Sequence, residues 1–496
     1  MAEWTVMYYG AGNFAEDQSN GESQTIGILQ SLENIVQSPR VHTLALIGCN
    51  ETDGHCLLYD VQPSPDKNES GIQSRLLSDW GSRDMSSPDL IKQYADTVAH
   101  RFPARKYLLI VSGDGRGWLG SCSDEINGGS SVMPVTDMRD RLASVTDENS
   151  NPLHVDLLYW MAPTMGMLEV AYEMQGLVKF MVSSATKSRY EHYKVMDYWL
   201  RDLHNSPESD PEEMGHLILR SVRESGELQY MQVEISLLDL DNATEVARQL
   251  DDVSTLLANA VGEYGEQLRA IRDATWSADL DDTLFVDIEA LLSAIEADED
   301  LSRIDGLADA INRVRSAMDR LLVERLDTRQ LDSRYGITIH FPPFAQQLNL
   351  EEYSHLRMTT MYPHWSDFIS QVAPEYIEPV TLSGVIRYNL GLRVINPGVF
   401  LQPRVGNWDN LITEAKAQFT YLNERGDSAS FTVQLPLTST PLPLTKFGVF
   451  MDPDSNGFDA GDDFGIGTFG NGASWITIEA GMEYDSVSCS VNGTRQ

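Results

Sequence analysis

The chain has 496 residues, 42% of them hydrophobic, enough for about three domains and a sizeable core. Its 74 Asp and Glu against 36 Lys and Arg give a formal net charge of −38, a surface that repels nucleic acid and anionic membranes and argues against both as partners. No run approaches the ~18–20 apolar residues of a membrane span. Arg outnumbers Lys, and the acidity fits either adaptation to salt or attraction of cations or a basic partner; composition leaves both open. Met1-Ala2-Glu3-Trp4 carries neither the basic stretch nor the apolar core of a signal peptide. That predicts a cytoplasmic protein, or a secreted one whose leader has been removed.

In chain order, residues 4–11 read as a strand and 24–37 have helical spacing. Residues 43–49 and 55–61 are two strands joined by an Asp53-Gly54 turn. Cys49 and Cys56 flank that turn, so a cross-strand disulfide is open to them, although the missing leader favours reduced thiols. A helix opening on Pro88-Asp89 covers 88–102. Residues 106–112, 155–162 and 177–184 are continuous apolar runs of the buried parallel kind, with a helix over 165–174. Strands alternating with helices predict an α/β fold, a mostly parallel sheet covered on both faces.

The middle is more helical, with a helix at 210–225, a strand over 228–240 and amphipathic patterns over 243–275 and 285–325. A strand closes 335–343, and one short helix is expected in 350–373. Beyond about 380, strand-like stretches at 381–390, 417–423, 428–436, 445–451 and 474–480 suggest a separate β-sandwich. The organisation expected is an α/β core over 1–205, its helical and strand continuation over 206–378, and a C-terminal β-sandwich over 379–496.

Three motifs stand out along the α/β part. The chain opens on Trp4-Thr5-Val6-Met7-Tyr8-Tyr9; Gly113-Asp114-Gly115-Arg116-Gly117-Trp118 follows one buried strand. Met161-Ala162-Pro163-Thr164-Met165-Gly166-Met167-Leu168-Glu169-Val170-Ala171-Tyr172-Glu173 ends the next. In this order and placement the chain resembles the clostripain family of cysteine peptidases over roughly residues 4–375. The resemblance implies a caspase-like, haemoglobinase-like α/β fold with helical insertions. It also implies where the chemistry would sit: a catalytic His in a pattern like [ND]-H-G-x-G-W and a nucleophile in a pattern like D-A-C-L-M-G-M-x-E-V-A-Y-E.

By that match the His position holds Asp114 and the Cys position holds Pro163, while the acid two residues before the nucleophile, which selects a basic residue at the cleavage site, is Met161. A cysteine peptidase needs a thiolate, a base to activate it and donors for the oxyanion. Pro163 supplies neither a nucleophile nor a backbone N–H. Gly115 still has its N–H, and a lost oxyanion donor costs on the order of 10²–10³ in rate. Thr186–Tyr193 also departs from the Glu-Pro-Gly-x-Gly-Trp-like loop of the family. Gly115, Arg116 and Thr164 remain as pocket residues, Arg116 either binding a carboxylate or phosphate or pairing with a neighbouring acid. Replacement nucleophiles and bases to weigh are Cys122, Ser112, Ser183, Ser184, His154 and His192, none with a nucleophile–base spacing that stands out.

A separate signal lies at 452–463. Asp452, Asp454 and Asn456 occupy positions 1, 3 and 5 of a calcium loop, Gly457 position 6 and Asp463 position 12, with Phe458 contributing its carbonyl. The expectation is a calcium-binding, catalytically inactive member of the family. It would bind a protein or peptide partner, an active relative among the candidates, or itself be cut at Lys187 or Arg189. The alternative is a hydrolase rewired around Asp114 or Cys122.

Overall fold

The computed structural model describes residues 1–14, 18–19, 22–35, 37–64, 71–128, 132–147, 150–186, 196–224, 234–275, 284–327, 335–343 and 345–373, and between 380 and 495 the backbone of eight strands. The chain divides into two units, Met1–Pro342 with Gln347–Ala373, and Pro343–Gln346 with Pro374–Gln496.

The first unit is built on strands β1 (Ala2–Gly12), β2 (Val41–Cys49), β3 (His55–Asp60), β4 (Arg75–Ser82), β5 (Ala104–Ser112), β6 (Val155–Met161), β7 (Val178–Ser183), β8 (Glu234–Asp239), β9 (Phe285–Asp287), β10 (Leu322–Asp327) and β11 (Thr338–His340). Nine of them form one sheet in the order β10-β8-β7-β6-β5-β1-β2-β3-β4, and β9 pairs with β11 in a small second sheet. The central five, β2-β1-β5-β6-β7, run parallel. Antiparallel strands finish both edges.

Continuous apolar sequence produces this centre, because a strand buried on both faces has no polar side to show. Alternation then sorts the side chains. Trp4, Val6 and Tyr8 of β1 join Leu108 and Ile110 of β5 and Leu157 and Tyr159 of β6 in one cluster. It is covered by α1 (Gln24–Leu32) together with Trp199 and Leu203, and Met214 and Leu217, of the two helices at 196–205 and 211–224. On the opposite face Tyr9 meets Tyr94 of α2 (Pro88–Arg101), whose hydroxyl donates to the Leu44 carbonyl at 2.9 Å. The remaining helices that bear on the site are α3 (Val135–Ala143), α4 (Leu168–Met174), α5 (Ala243–Thr275) and α6 (Leu350–Tyr353).

The expected α/β fold is present. The Asp53-Gly54 turn has both residues at positive φ, 53° and 73°, as a tight hairpin needs. Cys56 is a thiol that donates to the Arg83 carbonyl, with no disulfide to Cys49. Several features depart from the sequence reading, the helix at 196–205 and the strand β9 at the start of an expected helical pattern among them. β4 is an exposed edge strand without clean alternation, and β10 continues the apolar pattern of the preceding helix until it pairs with β8. Helix α3 was not anticipated, and 350–373 forms three short helices, not one.

In the second unit the backbone forms two four-stranded sheets. One joins 380–388, 484–495, 412–423 and 428–435; the other joins 399–401, 446–450, 473–477 and 467–469. The calcium-loop residues Asp452, Asp454, Asn456, Phe458 and Asp463 lie outside the described residues.

Candidate functional site

In a parallel sheet the crevice for a ligand opens at the carboxyl ends of strands where the strand order reverses. Here β1 is that point, with β2 on one side and β5 on the other. Gly10 pairs with Ile47 across one ladder and with Ser112 across the other, so the strand ends are level. The loops after β5, β6 and β7 converge just beyond. Gly113 N donates to Met161 O at 3.4 Å, Thr164 N to Thr186 O at 3.1 Å and Gly166 N to Ser184 O at 2.7 Å.

These contacts bring Asp114, Gly115, Met161, Pro163 and Thr164 together, as the motif match requires. Gly115 packs backbone to backbone on the second loop: a β-carbon on it would lie 2.0 Å from the Pro163 carbonyl oxygen. The Gly115 carbonyl in turn accepts from Thr164 Oγ1 at 3.3 Å. Gly117 sits at φ +59°, where a β-carbon would meet Met167 Sδ at 2.3 Å, so only glycine fits.

Asp114 organises its own loop. Its Oδ1 accepts from Ser123 N at 2.6 Å, and its carbonyl accepts from Cys122 N at 3.0 Å and Ser121 Oγ at 2.5 Å. Its Oδ2 faces Arg116 Nε at 3.6 Å. Arg116 is half exposed and paired with that acid. Met161 is buried at the end of β6.

The alternative nucleophiles are buried side chains. Cys122 is 1% exposed, and burial pushes its thiol well above the ordinary range, away from the thiolate a nucleophile needs. Ser112, Ser183 and Ser184 are buried, and Ser184 Oγ is engaged with Thr186 and, at 3.2 Å, with Glu234. His154 precedes β6 at the opposite end of the sheet from Met161, roughly 20 Å along the strand. His192, Lys187 and Arg189 lie outside the described residues. Among the described residues no cluster of His, Cys, Asp or Glu is arranged to hold a metal.

Beneath the loops sit two buried carboxyls that the sequence reading passed over. Glu169 on α4 accepts from His340 N and from the Tyr353 hydroxyl, both at 2.8 Å, through Oε1. Burial pushes it up to about 7. Trp118 of the first loop stacks edge-on against the rings of His340 and Tyr353, at 5.2 and 5.0 Å. Glu234 on β8 accepts from Ala185 N at 2.9 Å, faces Arg325 Nε at 3.4 Å, and is also raised to about 7, chiefly by burial. The signal available in the sequence for Glu169 was a lone carboxylate within the otherwise apolar run 165–172, which the structure buries throughout its helix.

Fold and site together define an α/β protein of the caspase-like class, with its loops gathered at the carboxyl end of a mostly parallel sheet. The chain belongs to the clostripain family, whose model matches residues 67–369. No curated protein matches it. Among solved structures it is similar to an inactive zymogen C11 protease from Parabacteroides distasonis, at 18% identity and a TM-score of 0.53, covering 73% of this chain and 98% of that one. It is also similar to a secreted C11 cysteine protease from Bacteroides thetaiotaomicron in complex with an irreversible peptide inhibitor. That match has 14% identity and a TM-score of 0.52, and covers 72% of this chain and 98% of that one. No helix among the described residues is long and apolar enough to cross a membrane.

Proposed function

We propose that this chain is a pseudopeptidase: a clostripain-family fold that has given up cysteine–histidine chemistry and acts by binding a protein or peptide partner. The observation that carries the reading is the pair of residues at the two strand ends, Asp114 after β5 and Pro163 after β6. A carboxylate already committed to Ser123 N is a poor base for a thiol, and proline offers neither a nucleophile nor an N–H for an oxyanion. A groove can still hold an extended chain without a nucleophile, because recognition rests on backbone hydrogen bonds and side-chain pockets. An active relative is one class of partner, and Lys187 and Arg189 offer that relative basic residues to cut.

The test is a thiol-directed peptidyl probe applied to the full chain. The reading expects no covalent adduct, alongside saturable, reversible binding of an uncleavable peptide that weakens when Arg116 is changed to Ala. An adduct on Cys122 would instead establish the rewired hydrolase. Calcium at Asp452, Asp454, Asn456, Phe458 and Asp463 is part of the proposal. Millimolar calcium should raise the melting temperature of the wild type and not that of a D452A/D454A variant. The compartment proposed is the cytoplasm, in keeping with the thiols at Cys56 and Cys122.

A further inference from the structure

Glu169 is fully buried, and only one of its two oxygens is used. Its Oε1 takes both donors, the His340 N–H and the Tyr353 O–H; Oε2 has no hydrogen-bond partner among the described residues. Two more polar atoms of the same cluster, Trp118 Nε1 and His340 Nδ1, are likewise without one. Glu234 provides the contrast, since Arg325 stands against it.

The groups around Glu169 offer it no counter-charge. His340 on β11 is buried and held neutral, down to about 3. Tyr353 on α6 stays protonated, its burial raising it well above its ordinary value. On its own helix Glu173 is a second carboxyl, raised by burial and bonded to the backbone of Arg357. The cations nearby are committed elsewhere: Arg357 to the Glu173 and Gln175 carbonyls, Arg272 of α5 to the Phe341 carbonyl and Asp273, Arg139 of α3 to Asp140. A neutral carboxyl suits this enclosure, and an ionised one would be a buried charge without a partner.

The cluster is also a joint. Thr338 N, at the start of β11, donates to Gly166 O of the β6 loop at 2.9 Å, and Trp118 of the β5 loop rests on the His340 and Tyr353 rings. Whatever loosens β11 from α4 therefore loosens both site loops. We propose that Glu169 is a proton-operated latch: neutral, it fastens β11 and α6 to α4 and holds the two site loops in place; ionised, it releases them. The inference is independent of the pseudopeptidase reading, because it concerns the support of the loops and not their chemistry.

The test is hydrogen exchange of the full chain read by mass spectrometry from pH 6 to pH 9, corrected for intrinsic rates. Between the carboxyl's ordinary value and its raised value in the closed form, each pH unit weakens the closed form about tenfold, and above that the dependence levels off. The latch therefore predicts about a tenfold loss of protection over residues 337–341, levelling off toward pH 9, with β1 unchanged. It also predicts a flat profile for Glu169→Gln. Where that variant does not fold, Tyr353→Phe removes one donor from the carboxylate and moves the midpoint of the loss to higher pH. Constant wild-type protection, an equal loss in β1, the same loss in Glu169→Gln, or an unmoved midpoint in Tyr353→Phe overturns the proposal.

Discussion

Gly115 and Pro163 meet backbone to backbone: the Pro163 carbonyl oxygen occupies the space that any β-carbon on Gly115 would need, at 2.0 Å. The loops that end β5 and β6 are thus locked together by the absence of a side chain. Substituting Gly115→Ala should force them apart at a cost of about 1–3 kcal/mol, the usual range for overpacking. A lowered melting temperature is the readout. A melting temperature equal to that of the wild type would mean the loops are free to separate.

Asp124 anchors the other side of the same loop. Its fully buried carboxyl accepts from Asn13 Nδ2 (2.9 Å), Met85 N (2.9 Å), Ile126 N (3.0 Å) and Asn127 N (2.7 Å). Asp124→Ala strips these donors at once, and about 3–5 kcal/mol of stability should go with them. Chemical denaturation of the variant checks this, and a loss under about 1 kcal/mol would contradict the network.

Stability should peak in mildly acidic solution. His340 and His204 are held by burial at about 3 and about 4, so their contribution is complete above about 6.5 and is lost as pH falls through those values. Glu169 and Glu234 are raised to about 7, so theirs is complete below about 4.5 and is lost as pH rises through 7. The two sets oppose one another between about 4.5 and 6.5, and each acts alone outside that window. Melting temperatures from pH 3 to 9 should show a maximum inside it and a decline toward pH 8. A steady rise to pH 8 would refute the assignment.

The thiols of Cys56 and Cys122 should resist alkylation in the native protein. Both are buried, and burial raises Cys56 to about 12 and Cys122 further. Peptide mapping after iodoacetamide treatment at pH 8 should find both unlabelled until denaturant is added. Rapid native labelling of Cys122 would reopen it as a nucleophile.

Much of the parallel centre was legible because its strands are apolar throughout, and the Asp53-Gly54 hairpin because its turn chemistry is local. The edges were not. β4 earns its place by pairing with β3, and β10 by pairing with β8, relations that no local pattern announces. At the site, motif order alone brought Asp114 and Pro163 to adjacent strand ends. The role of Asp114 in tying down Ser121, Cys122 and Ser123 depends on a loop returning on itself, and the Glu169–His340 contact joins residues 171 positions apart. Neither leaves a trace in spacing.

The most direct measurement is hydrolysis of a mixed peptide library by the pure full chain, with and without calcium, beside Cys122→Ala. The account predicts no cleavage above buffer in any of these samples. Turnover by the wild type that disappears in Cys122→Ala would mean that the chemistry has moved to another thiol, and would contradict the pseudopeptidase reading.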